Sequence, residues 1–157
     1  GARYPGRGCL CRFKRFQADA IAQLTDLAVK TLEAEGKPLN ATKEKTMRDW
    51  LARAPLVLAV ASYVDHSNER IPEHERMLAT GASVMNILNA VHALGYGAFW
   101  STGIGTYTQG VPEALGFDAL EYEFLGFVVI GSLSEPLKPK ERPAVTDYVS
   151  IWEPSES

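Results

Sequence analysis

The stretch from Pro72 to Gly95 limits what this chain can fold into more than any other. Pro72 suits a helix start, because proline has a fixed φ and no N–H to satisfy, and Glu73 and Glu75 suit the positive end of a helix dipole. The pattern predicts a helix running to Leu94, about six turns at ~3.6 residues per turn, with Gly95 as its left-handed cap. It is apolar around most of its circumference and rich in small residues: Ala79, Gly81, Ala82, Ser83, Ala90 and Ala93 permit close approach on several sides. Such a helix is central rather than a surface cover, and one small domain cannot bury it all round. The expected assembly is a homodimer. Asn86, Asn89 and His92, at spacing three, form a narrow polar stripe that reads either as a hydrogen-bonded helix–helix contact or as catalytic.

Strands are expected on both sides of this helix. Leu56-Val57-Leu58-Ala59-Val60-Ala61 is continuously apolar and partly β-branched, the mark of a strand buried on both faces, and Tyr122 to Ile130 is a second such run. Tyr96 to Ser101 reads as a short strand and Pro112 to Leu115 as a helical turn. Before them, Ile21, Leu24, Leu27, Ala28 and Leu32 recur at helical spacing from Asp19, and Gly36 with Pro38 supplies the stop. Asn40 can cap a second helix carrying Met47, Trp50, Leu51 and Ala54, which Pro55 ends. The expected division is an irregular or truncated basic start over 1–18, one domain over 19–152, and a tail over 153–157. Within the domain, the proline-rich stretch from about 133 holds Tyr148, Val149, Ile151 and Trp152, and suggests an arm lying on another surface.

The chain has 157 residues, 46% of them hydrophobic, and a net charge of −3, enough apolar material for one core and too little positive charge to grip a polyphosphate backbone. Nucleic acid is excluded as a partner. The longest apolar runs are too short to span a bilayer and no leader opens the chain, so no membrane association and a cytoplasmic location are expected. Cys9 and Cys11, two apart, read as reduced thiols without a function, since a disulfide would close a strained loop and a zinc site would lack its other pair. Asp65, His66, Glu69, His74 and Glu75 gather metal-type side chains. Arg76-Met77-Leu78 follows, however, without the second histidine of a zinc-protease helix, and a solvated polar loop is the reading adopted. The basic residues Arg3, Arg7, Arg12, Lys14 and Arg15 read as solvated charge or as a phosphate clamp.

The most informative segment is Gly95-Tyr96-Gly97-Ala98-Phe99-Trp100-Ser101-Thr102-Gly103-Ile104-Gly105. Glycines let backbone approach a flat ligand, Ser101 and Thr102 can donate to carbonyl or phosphate oxygens, and Trp100 offers an apolar wall. A tight strand-to-turn connection with Trp100 in the core accounts for the same residues. The Gly103-x-Gly105 spacing, with Gly110 beyond, misses the Rossmann fingerprint, which disfavours a dinucleotide-binding fold of that kind.

Three stretches together resemble the nitroreductase-like flavoproteins. Ala52-Arg53-Ala54-Pro55-Leu56-Val57-Leu58-Ala59-Val60 is similar to the family's helix end and first core strand. Ile71-Pro72-Glu73-His74-Glu75 through Gly103, with Trp100-Ser101-Thr102-Gly103 in the place of a Trp-x-Ser/Thr-Gly motif, is similar to its central dimer helix and glycine-rich strand. Ala114-Leu115-Gly116 and Phe124-Leu125-Gly126-Phe127-Val128-Val129-Ile130-Gly131 are similar to its short helix and last strand. The resemblance implies an α+β fold of three layers, with a mostly antiparallel sheet flanked by helices and a long dimer helix. It implies FMN as cofactor, NADH or NADPH as donor, and a nitro, quinone or similar small-molecule acceptor. Trp100, Ser101, Thr102 and Gly103 match the FMN-contacting stretch, and Ala90, Val91, His92, Ala93, Leu94 and Gly95 match the helix end associated with the nicotinamide. Because the flavin supplies the redox chemistry, no catalytic side chain is required. Relatives often carry arginine where Ser101 stands, and their Arg-Arg-Ser-like opening helix has no counterpart here, which implies weaker FMN binding. A flavin binder without turnover, or a dimeric structural remnant, is the alternative.

Overall fold

The computed structural model describes residues 11–17, 19–64, 66, 70–136 and 139–153. Its elements in chain order are β1 (Cys11–Phe16), α1 (Asp19–Ala34), α2 (Ala41–Leu51), β2 (Leu56–Tyr63), α3 (Glu73–Ala93), β3 (Gly97–Ser101), α4 (Gly110–Ala114) and β4 (Tyr122–Gly131), followed by a 3-10 turn at Val145–Asp147. The strands form one sheet in the order β1-β2-β4-β3, every neighbouring pair antiparallel. The two long apolar runs are the two central strands, where only residues with no polar side chain to satisfy can be buried on both faces.

Each face of the sheet has its own cover. Val57, Ala59, Ala61, Phe127 and Val129 point to one side and pack with Ile21, Leu24 and Ala28 of α1 and Met47 and Leu51 of α2. Val60 and Val128 point to the other side and pack with Val84 of α3. The result is an α+β fold of three layers. Both expected caps form: the Asn40 side chain accepts from the Lys43 N–H, and Gly95 takes a φ of +82° just past α3. Among the described residues no helix is long and apolar enough to cross a membrane.

Two expectations change. Cys11–Phe16 is an edge strand registered on β2 from Cys11↔Ser62 to Phe16↔Val57, not an irregular start. Its residues are mostly exposed, so it has no apolar period to read, and backbone pairing alone defines it. Within a protomer α3 is also less central than its composition suggests. It buries only the stripe Arg76, Thr80 and Val84, while Leu78 is 70% exposed and Ala82, Met85, Asn86 and Asn89 lie open on the outer face. The expected helix–helix contact of Asn86, Asn89 and His92 is therefore not made inside one protomer.

The β2–β4 register slips between Val60↔Gly126 and Ala61↔Phe124, leaving Leu125 as the extra residue of a bulge. Gly126 has a φ of +101°, and a Cβ there would sit 2.5 Å from the Ser101 carbonyl oxygen. Only glycine lets the end of β3 cross so close. Gly126→Ala is expected to cost on the order of 3 kcal/mol from backbone strain and overpacking together, lowering the melting temperature by roughly 10 °C. Calorimetric melting checks it, and a variant that melts with the wild type would show that the bulge does not depend on glycine.

Candidate functional site

The bulge decides where Trp100 goes. Because Leu125 is the unmatched residue, its carbonyl is released from the β2–β4 ladder and accepts a 2.7 Å hydrogen bond from Trp100 Nε1. The indole is thereby pinned on the α3 side of the sheet, its Cη2 facing Gly81, yet remains 37% exposed. Of the two readings of Trp100, core or ligand wall, the structure shows features of both: a fixed ring with an open face. Phe99 points to the opposite side, against Trp50, with ring centroids 5.5 Å apart.

The strand then breaks into a tight turn. The Ser101 hydroxyl accepts from the Gly103 N–H at 3.2 Å, while Thr102 and Gly103 are exposed. Ile104 takes a φ of +56° and is 3% exposed, and Gly105 follows at +72°. A β-branched residue in the left-handed region costs on the order of 1–3 kcal/mol and persists only where its surroundings impose it. Here Ile104 fills the core beneath α1, and the Thr106 and Thr108 hydroxyls donate to the Gly103 and Gly105 carbonyls at 2.6 Å each. On the α2 side the strand end borders a cavity of about 610 Å³ lined by Leu39, Lys43, Met47, Trp50, Phe99 and Ser101, among others. Sequence reading missed this cavity. The signal was present in the alternation of β3, which must send Phe99 and Ser101 to the face opposite Trp100.

The structure does not bring all the sequence-predicted site residues together. Trp100, Ser101, Thr102 and Gly103 are contiguous, but Ala90, Val91, His92, Ala93, Leu94 and Gly95 lie at the far end of α3. Trp100 lies beside Gly81, and the nine to thirteen residues from there to Ala90 and Leu94, at ~1.5 Å rise each, set the two groups roughly 14–20 Å apart within the chain.

The basic residues are elsewhere too. β1 and β3 are opposite edges of the sheet, about three strand spacings of ~4.8 Å apart. The Arg12 guanidinium lies 5.7 Å from the Tyr63 ring centroid and Lys14 Nζ 5.2 Å from that of Phe117. Arg3, Arg7 and Cys9 lie outside the described residues. Cys11 is half-buried and its thiol donates to the Ser83 hydroxyl at 3.2 Å. Asp65 and Glu69 also fall outside, and the described residues gather no three potential metal ligands. His66 Nε2 lies 2.6 Å from the Leu120 carbonyl. Away from β3, hydrogen bonds to Asp26 and then Glu44 raise the pKa of Arg48, which joins α1 to α2.

Comparison with known proteins adds the family. The model of the nitroreductase family matches residues 2–132, taking in the segment before Asp19. YdjA, a candidate NAD(P)H nitroreductase of Escherichia coli (strain K12), is 31% identical over 80 residues, 51% of this chain and 43% of the relative, so the match spans less than half of that protein. A nitroreductase-like family protein from Bacillus cereus superposes with a TM-score of 0.77 at 22% identity, over 91% of this chain and 73% of the other. The FMN-dependent nitroreductase NfnB from Mycobacterium smegmatis, solved with NADPH, gives 0.66 at 12% identity over 92% and 79%. These likenesses establish a shared fold.

The geometry separates two neighbouring roles. Trp100→Phe removes the donor to Leu125 and is expected to cost about 1 kcal/mol. Thr102→Val, at an exposed position with no partner among the described residues, should stay within about 0.5 kcal/mol. Urea denaturation measures both, and equal losses would overturn the assignment of Trp100 as the anchored residue and Thr102 as the open one.

Proposed function

The chain belongs to the nitroreductase family, and on that premise we propose that it is an FMN-dependent oxidoreductase passing hydride from NADH or NADPH to a small-molecule acceptor of nitro, quinone or similar type. The observation that carries the reading is the end of β3, where an indole held by the Leu125 carbonyl stands beside an exposed hydroxyl and an exposed glycine backbone. This set fits a flat, polar-edged ring. Trp100 supplies a rigid apolar wall, Gly103 allows close backbone approach, and Thr102 can donate or accept at the ring's polar edge or toward its phosphate tail. Ser101 has its oxygen engaged by Gly103 but keeps its own proton to donate. Lys43 is the charged residue lining the adjoining cavity.

When bound, FMN supplies the two-electron chemistry, accepting hydride from the nicotinamide and delivering it to the acceptor. The chain's own residues bind and orient. Trp100 cannot swing away without leaving the Leu125 carbonyl unpaired, so one wall of the site is fixed before any ligand arrives.

The proposal includes a homodimer. The open face of α3, with Leu78, Ala82 and Met85, needs a cover, and the arm exposes Val145, Tyr148, Val149, Ile151 and Trp152, the last 82% exposed. Two copies crossing antiparallel along α3 would also set Ala90 to Gly95 of one beside Trp100 of the other, closing a gap of roughly 14–20 Å within one chain. We place the protein in the cytoplasm, where reduced nicotinamide donors are made.

The visible spectrum tests the reading. Protein mixed with FMN and freed of excess is expected to retain the yellow band, lose it on anaerobic NADPH addition, and regain it with a nitroaromatic or quinone. Retention without bleaching would reduce the chain to a flavin binder, and failure to take up FMN would overturn the proposal. Thr102→Val together with Trp100→Ala should weaken FMN binding at least tenfold, the loss expected for ~1.4 kcal/mol.

A further inference from the structure

We propose that Glu35 is a positioning residue for the flavin site, holding the turn that follows β3 from the end of a helix 74 residues earlier in the sequence. The role rests on the reading of that strand end as the FMN site. α1 ends in a left-handed cap: the Lys37 N–H donates to the Leu32 carbonyl at 2.8 Å and the Gly36 N–H to the Glu33 carbonyl at 3.1 Å, with Gly36 at a φ of +70°. This fixes the half-buried Glu35 at the edge of the layer covering the sheet. Its Oε1 accepts from the backbone N–H groups of both Gln109 and Gly110, at 2.9 and 3.2 Å. Gly110 is also seated on α1, since a Cβ there would lie 2.7 Å from Thr31 Cγ2. The end of α1 and the start of α4 are thus interlocked by one carboxylate and one close contact.

From that point a continuous run of hydrogen bonds leads back to the candidate site. The Val111 N–H donates to the Thr108 hydroxyl at 3.2 Å, Thr108 donates to the Gly105 carbonyl through both N–H and hydroxyl, and Thr106 does the same to Gly103. The Gly103 N–H in turn meets Ser101 Oγ. Inside this run sits Ile104 in its left-handed conformation, which relaxes unless both ends of the turn are held. β3 and Ser101 hold one end. Glu35 holds the other, with charge-assisted bonds, the stronger kind. Loss of the carboxylate frees Gln109 and Gly110, lets Ile104 leave the left-handed region, and shifts the Thr102–Gly103 backbone that the flavin is read to touch. Glu35 touches neither ligand nor reacting atom.

Three variants separate this role from general stability. Glu35→Ala removes the acceptor, Glu35→Gln keeps an oxygen that can accept both N–H groups, and Thr25→Ala removes a buried hydroxyl that donates to the Ile21 carbonyl within α1, outside the lining of the cavity beside the turn. FMN affinity is measured by quenching of flavin fluorescence, and amide hydrogen exchange of 103–110 is followed in FMN-free protein alongside melting. Glu35→Ala is expected to weaken FMN binding about tenfold and to speed exchange across 103–110. Glu35→Gln should recover most of both, and Thr25→Ala should lower the melting temperature while leaving FMN affinity within about twofold. If Glu35→Ala does not fold, Glu35→Asp, one methylene too short to reach, takes its place with the same expectation. Wild-type exchange and affinity in the variant overturn the role, as does an equal loss of affinity in Thr25→Ala. A wild-type protein that binds no FMN overturns the flavin reading itself, an outcome distinct from variants that match a wild type that binds.

Discussion

The close crossing of the Gly126 backbone under the Ser101 carbonyl is the constraint on which the site depends. It requires a residue without Cβ at a left-handed φ, it creates the bulge that turns the Leu125 carbonyl toward β3, and that carbonyl fixes Trp100. The same crossing ends β3 and starts the turn in which Ile104 is strained. A single backbone requirement thus sets the wall of the site, the end of the strand and the exposed Thr102–Gly103 segment. The arrangement is held by contacts within the chain itself, and that lowers the ordering cost of binding a rigid ring.

Much of this architecture was legible in the residues, and the reason is burial. The middles of β2 and β4 are covered on both faces, so Leu56–Ala61 and Phe124–Ile130 had to be apolar and the runs stood out, while α1 and α2 cover one face and showed a helical period. Asn40, Gly36 and Gly95 marked ends because each satisfies a specific backbone need. β1 was invisible because an exposed edge strand with Arg12, Lys14 and Arg15 has no pattern beyond its backbone pairing. The site was half legible. Trp100 to Gly103 could be picked out as a group, but nothing local shows that Leu125 meets Trp100 or that Glu35 meets Gln109, because these contacts join positions 25 and 74 residues apart. Gly126 could be seen as a glycine in a strand, and its bulge could not.

The protomer carries signs of incompleteness of different kinds. α3 buries one stripe and exposes an apolar face, and the segment after β4 carries aromatic and β-branched residues that are exposed among the described residues. The end of β3 proposed to contact flavin and the end of α3 proposed to contact the nicotinamide lie roughly 14–20 Å apart, so one chain alone does not bring them together. A two-fold pairing along α3 answers the first and the third together, because antiparallel helices bring opposite ends into register.

Flavin held by two copies of the chain is the arrangement that joins the strand end of one copy to the α3 end of the other. Analytical ultracentrifugation that follows flavin absorbance alongside protein absorbance tests this in one run. FMN colour sedimenting with protein at twice the mass of one chain is the predicted result. Colour that travels with single chains, or that stays with the free cofactor while the protein sediments alone, would contradict it.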